Sequence, residues 1–177
     1  MFLFFLRIFM HYTGQYFALQ AMGIPVTKFL PRWWRVELEY AAWAFWQDCV
    51  LVAVGGVSTT ALFAVMWLVS WACKEYLNWF PRTWYIVICW TGLYAVADPL
   101  LTLLFDALSQ DWQWGDMFKF YNYFVKSEGN GLVGVYIALF IVLTEMTFSG
   151  YLFYRYMVER YMNGRILDLY RRLAGQY

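Results

Sequence analysis

The chain has 177 residues, of which 63% are hydrophobic, 24% aromatic and 14% charged, with a net charge of +1. Soluble domains carry about 25% charged residues, and a 21.2 kDa globule has too little polar surface to cover so much apolar side chain. The composition excludes an ordinary soluble domain, and the near-zero net charge excludes the broad basic field of a nucleic-acid binder.

The chain opens with "MFLFFLRIFMHYTGQYFALQAMGIPVTKFL". Between Arg7 and Lys28 the one side chain that titrates near neutrality is His11. Arg7, His11, Gly14/Gln15 and Ala18 recur at helical spacing and draw a polar stripe along one face. A membrane span over residues 5–27, its stripe turned toward a neighbour, is favoured over an amphipathic helix lying in the interface. Arg7, near the chain start, is expected to snorkel to the membrane boundary. The next stretch, "PRWWRVELEYAAWAFWQD", sets four Trp among charges. Trp and Tyr favour the membrane–water boundary, so an interfacial helix is expected over residues 31–47.

Two runs dominate the chain. From Cys49 to Cys73 there is no charged residue, and the run is longer than the roughly 20 residues needed to cross a bilayer. From Gly131 to Tyr154 there is a single charge, Glu145. A third apolar run, residues 83–105, holds Asp98 followed by Pro99. Proline lacks an N–H and clashes with the preceding turn, so this span is expected to be broken there. Residues 106–128 are aromatic-rich and expected at the headgroup level. The tail, residues 155–177, reads as an amphipathic helix with Val158, Met162, Ile166, Leu169 and Leu173 on one stripe. Its Arg160, Arg165, Arg171 and Arg172 suit anionic lipid headgroups of the cardiolipin kind. The fold class expected is all-α: one membrane domain of about four transmembrane helices, with interfacial aromatic helices and a basic tail.

With four spans, eight Lys and Arg (Arg7, Lys74, Arg82, Arg155, Arg160, Arg165, Arg171, Arg172) fall on one side and five (Lys28, Arg32, Arg35, Lys119, Lys126) on the other. The positive-inside rule then places both termini on the cytoplasmic or matrix side. A mitochondrial inner-membrane address is a guess that the charge count does not itself supply.

Little classical chemistry is available. One histidine precludes two-His metal sites, bis-His haem and HExxH within this chain, and neither a Walker A sequence nor GxGxxG is present. The three cysteines, Cys49, Cys73 and Cys89, are odd in number and lack CxxC spacing. Cys49 and Cys73 would sit about 36 Å apart on one helix. No catalytic set, metal site or cofactor is therefore expected. Gly55 and Gly56 in the second span, and Gly131 and Gly134 at the start of the last, read as places of close helix approach. Asp98 and Glu145 are the charges inside the strongest spans, with His11 and Gln15 as further intramembrane polar groups. A charge at the bilayer centre costs roughly 2.5–3.5 kcal/mol on insertion scales, so each acid should face the bundle interior, find a partner or stay protonated. Counting 1.5 Å per residue from the expected helix ends puts the two acids at depths differing by about 14 Å, which argues against direct contact.

Two functions are consistent with these features. The first is a non-catalytic subunit or scaffold that packs against partner helices and lipid in a larger membrane complex. The alternative is a small oligomeric ion- or proton-conducting protein, or transporter module, that uses Asp98 and Glu145.

Overall fold

The computed structural model describes residues 2–31, 36–41, 44–77, 82–108 and 115–161. Five helices and one two-stranded sheet are arranged in the order α1 (Phe2–Ala21), β1 (Val26–Pro31), β2 (Val36–Tyr40), α2 (Phe45–Leu77), α3 (Arg82–Leu108), α4 (Asp116–Glu128) and α5 (Leu132–Tyr161). Three of the helices, α2, α3 and α5, are long and apolar enough to cross a membrane.

The first helix ends at Gly23, whose φ of 71° is left-handed. Its N–H donates to the Gln20 carbonyl at 3.1 Å, and the Ile24 N–H reaches back to the Leu19 carbonyl at 2.9 Å. These two bonds form a Schellman motif, which needs a residue that tolerates positive φ. Ile24 and Leu19 then meet in one apolar cluster with Leu51, so the motif both stops the helix and turns the chain back along α2.

The hairpin after α1 corrects two expectations. The fold is mostly helical but not all-α, and residues 26–31 and 36–40 pair as antiparallel strands where an interfacial helix over 31–47 was expected. The physical reason lies in "VELEY": apolar and charged residues alternate with period two, the mark of a half-buried strand. Leu38 and Tyr40 pack inward beside Val26 against the Leu19, Ile24 and Leu51 cluster, while Glu37 and Glu39 reach Lys28 at 2.7 and 3.1 Å. A bulge lies between Val26 and Lys28. Pro31 closes β1, where a missing N–H does least harm.

The second helix is the bundle's spine. Its buried residues are Leu51, Val52, Gly55, Gly56, Thr59, Thr60, Phe63 and Ser70, and all but Ser70 lie in two adjacent rows that repeat every four residues. Small residues fill the middle of these rows, so neighbouring helices approach closely there. The first helix fits one row, with Ser58 Oγ donating to the Met10 carbonyl at 2.9 Å. On the other, Val52 packs with Val142 of α5 and Phe120 of α4. Toward the far end, Phe63, Ile88, Ala95 and Tyr156 close the core between α2, α3 and α5.

The third helix runs from Arg82 to Leu108 with Pro99 inside it, so the expected break at Asp98-Pro99 is absent. Neighbours hold this stretch: Asp98 and Pro99 are both fully buried, and Asp98 is bonded from a second helix. The amphipathic fourth helix ends on Gly129 in the left-handed conformation. Gly134, in the first turns of α5, faces the backbone of Phe120 and Tyr121, and Gly131 faces the Tyr121 ring. The fifth helix continues to Tyr161. The basic tail expected over 155–177 lies outside the described residues beyond that point, as do the side chain of Arg160 and all of Arg165, Arg171 and Arg172.

Candidate functional site: a buried charge network

Arg7, His11 and Gln15 stand four residues apart and share one face of α1, as i, i+4 and i+8 positions must. They are 6%, 4% and 2% exposed. All three point into the bundle, which corrects the expectation that Arg7 snorkels to the boundary. A buried guanidinium needs a partner, and Asp98 supplies it. Arg7 Nε donates to Asp98 Oδ1, and Arg7 Nη2 donates to the Asp98 carbonyl at 2.6 Å and to Thr102 Oγ1. Thr102 Oγ1 in turn donates to the Asp98 carbonyl at 3.0 Å. Asp98 and Thr102 are again i and i+4, so one face of α3 answers one face of α1.

His11 continues the network. Its Nδ1 lies 2.8 Å from Asp98 Oδ2 and its Nε2 lies 3.3 Å from Asp116 Oδ2, at the first residue of α4. Gln15 Nε2 donates to Asp116 Oδ2 at 2.7 Å and sits 3.2 Å from His11 Nε2. Asp116 Oδ1 accepts from Lys119 Nζ at 2.9 Å, and the same ammonium donates to Tyr40 Oη at 2.9 Å. Tyr40 Oη donates to Asp48 Oδ1 at 3.0 Å, in the first turn of α2. The network thus runs from the hairpin through α4 and α1 to the middle of α3.

The predicted glycines of α2 form its floor. The His11 imidazole lies against Gly55, and the Glu145 carboxylate lies against Gly56. A β-carbon at either position would occupy the space of the polar group. Glu145 Oε1 is buried and has no hydrogen-bond partner among the described residues. His11, Asp98 and Asp116 all lie within electrostatic reach of it. The expected depth mismatch between Asp98 and Glu145 fails because it used the wrong helix ends. Counted from Leu108 and Leu132, Asp98 lies about 15 Å and Glu145 about 20 Å along their helices, which brings the two acids close in height. Asp98, Glu145, His11 and Gln15 are therefore brought into one region, while Gly131 and Gly134 lie at the separate α4–α5 junction.

Sequence reasoning missed Arg7, Thr102, Asp116, Lys119 and Tyr40 as members. Arg7 was legible as the first position of the α1 stripe. Asp116 and Lys119 carry no signal of depth, because their helix is mixed in polarity and its docking onto α1 is a tertiary event.

The electrostatics of the α4 end set its pH range. Burial opposes ionisation of Asp116, but Lys119 and His11 outweigh it and hold the carboxyl well below its ordinary value. Burial likewise opposes the Lys119 charge, and Asp116 and Tyr40 overcome it, raising the ammonium above its ordinary value. Burial pushes the Tyr40 phenol up to about 12 despite Lys119 beside it. A depressed carboxyl contributes stability above its unfolded value near 4, and that stability is lost as pH falls through the folded value. A raised ammonium contributes below about 10.4 and is lost as pH rises through the folded value. The Asp116–Lys119 pair therefore contributes a constant amount between about pH 5 and 9. Lys119→Met removes the principal counter-charge, so the acid limb of thermal unfolding measured by circular dichroism shifts to higher pH; an unmoved limb would contradict the pairing.

Among the described residues, no group of three or more His, Cys, Asp and Glu is arranged to hold a metal ion. The class that the fold and site define is a helical protein with three helices long and apolar enough to cross a membrane, in which a buried charge network links α1, β2 and α4 to α2 and α3. No known protein family, curated protein or solved structure matches the chain.

Proposed function

We propose that this chain is a multi-pass membrane protein of four spans that works as a non-catalytic subunit or scaffold of a larger membrane assembly. The first helix joins α2, α3 and α5 as the fourth span. It has 20 residues, or about 30 Å, the thickness of the hydrocarbon core. Its polar stripe is turned inward, and Phe9 and Phe17 are exposed outward. Anionic lipid contact through the arginines of the tail belongs to the same reading, as do both termini on the cytoplasmic or matrix side.

The observation that carries the reading is the state of α5. Within its most apolar stretch 17% of residues are buried inside the chain, against 39% in α2 and in α3. Its outer face presents Tyr136, Phe140, Leu143 and Tyr151. Thr144 and Thr147 on that side turn their hydroxyls back onto the helix, to the Phe140 and Leu143 carbonyls at 2.7 and 2.6 Å. This leaves a continuous apolar ridge, rich in rings, for another helix to pack against.

Photo-crosslinking from Tyr136 and Phe140 in native membranes tests it, with extraction in mild detergent and native mass spectrometry afterwards. The expected result is adducts to a fixed set of other membrane proteins that co-migrate with the chain. Adducts to lipid alone, with the chain running by itself, would overturn the reading.

A further inference from the structure

The arrangement around His11 Nε2 differs from an ordinary buried ion pair. A neutral imidazole has one N–H and one acceptor nitrogen, whereas the imidazolium has two N–H groups. Nδ1 faces only a carboxylate oxygen, Asp98 Oδ2, so it carries a proton in either form. Nε2 faces two groups of opposite kind: the Asp116 carboxylate, which accepts, and the Gln15 amide nitrogen, which donates. When Nε2 is protonated it donates to Asp116. When it is bare it accepts from Gln15, whose second N–H remains on Asp116. Nε2 itself has a hydrogen-bond partner in both states, and neither state requires a side chain to move. Burial of an unsatisfied polar group usually penalises one protonation state by about 1–3 kcal/mol; here both ring nitrogens escape that penalty, and in the protonated state it falls on the Gln15 N–H turned toward Nε2.

The second observation is where the proton can go. Nε2 is the His11 atom nearest to Gly55, and Glu145 Oε2 is the atom nearest to Gly56. These glycines are consecutive, their Cα atoms about 3.8 Å apart, and at both positions α2 presents no β-carbon. Glu145 also has a buried oxygen with no hydrogen-bond partner among the described residues.

We propose that His11 and Glu145 form a proton-exchanging pair inside the bundle, with Nε2 of His11 and the Glu145 carboxylate as its two stations. The two groups are not hydrogen-bonded at rest, so in the transfer one side chain turns toward the other, the Nε2–H bond breaks and an O–H bond forms on Glu145. The electron pair stays on Nε2, the imidazolium becomes neutral imidazole, and the carboxylate becomes a carboxylic acid. The groups around the pair are Arg7, Tyr12 and Gln15 from α1, Asp98 and Asp106 from α3, and Asp116 and Lys119 from α4, with Tyr40 of the hairpin behind Lys119. The salt-bridged Arg7 and Lys119 keep their charges, and Lys119 holds Asp116 ionised, so they set a field that does not change near neutrality. The inference is independent of what the outer face of α5 packs against.

The chain's single histidine makes the test specific without a mutation. The protein is labelled with nitrogen-15 histidine and reconstituted in phosphatidylcholine vesicles. Solid-state nuclear magnetic resonance then reads the ring across the ordinary histidine range and well above it, from about pH 5 to 11, because two carboxylates face the ring. The expected result is an Nδ1 that stays protonated while Nε2 converts from protonated to bare. In Glu145→Gln the conversion occurs at a proton concentration about tenfold higher, because a nearby negative charge that favours the imidazolium is gone. In Gln15→Leu the bare state loses its donor, and Nε2 stays protonated to a proton concentration about tenfold lower. An Nε2 that holds one state throughout in the unmutated protein would overturn the proposal. So would a Glu145→Gln protein of unchanged helical content whose Nε2 converts at the original pH.

Discussion

Asp98→Ala costs the bundle about 3–5 kcal/mol, the range seen when one partner of a buried ion pair is removed. Asp98 is fully buried, and its two oxygens and its carbonyl receive Arg7 and His11 together. Its loss leaves a guanidinium and an imidazole without their acceptor in a site that water does not reach. Against a total stability of about 5–15 kcal/mol, that is enough to unfold much of the population. Unfolding in mixed micelles, read by tryptophan fluorescence, measures it. The double variant Arg7→Met, Asp98→Leu is expected to recover a large part of the loss, because replacing both partners of a buried pair with apolar groups is often neutral. A single variant within about 1 kcal/mol of the parent would show that the carboxylate is not what holds α1 to α3.

The second large effect is expected at Gly134. A β-carbon there meets the carbonyl carbon and oxygen of Phe120 and the nitrogen of Tyr121, all backbone atoms. Backbone cannot swing aside as a side chain does, so Gly134→Val forces α4 away from α5. Phe120, which is fully buried against Val52 and Val142, must then lose part of its packing. Overpacking costs about 1–3 kcal/mol, and loss of a buried Phe contact costs more, so a total of about 3 kcal/mol is expected in the same assay. Gly150→Ala supplies the contrast, since nothing lies within 4 Å of its added carbon. Relief of glycine's backbone entropy there is expected to stabilise the helix by about 0.5–1 kcal/mol. Equal effects at the two glycines would contradict the close α4–α5 approach.

The long apolar runs were readable because a bilayer imposes a length, and α2, α3 and α5 exceed it. Asp98, His11 and Gln15 were readable as inward-facing because a charge or amide in such a run has few other places to be. The hairpin carried its signal in the alternation of Val36, Glu37, Leu38, Glu39 and Tyr40, which the density of tryptophan around it obscured. The join between Arg7 and Asp98 was not readable, because nothing local in either helix states which face meets which. The same holds for Asp116, whose place under His11 depends on how the fourth helix docks. Counting depth from guessed helix ends failed for a simple reason: an error of three residues at each of two ends, at 1.5 Å per residue, is already about 9 Å.

The separation of Arg7 from its acceptor has a consequence for how the protein is made. Arg7 and Asp98 lie 91 residues apart, and His11 and Asp116 lie 105 apart. At a ribosome speed of about 5–20 residues per second, the first helix exists for about 5–20 seconds before the first of its counter-charges is synthesised. On the four-span reading, during that interval it carries an uncompensated cation into the hydrocarbon layer or waits outside it. The helix that carries Arg7 is therefore translated well before the helices that neutralise it, and any factor that shelters a nascent polar helix would act on this segment.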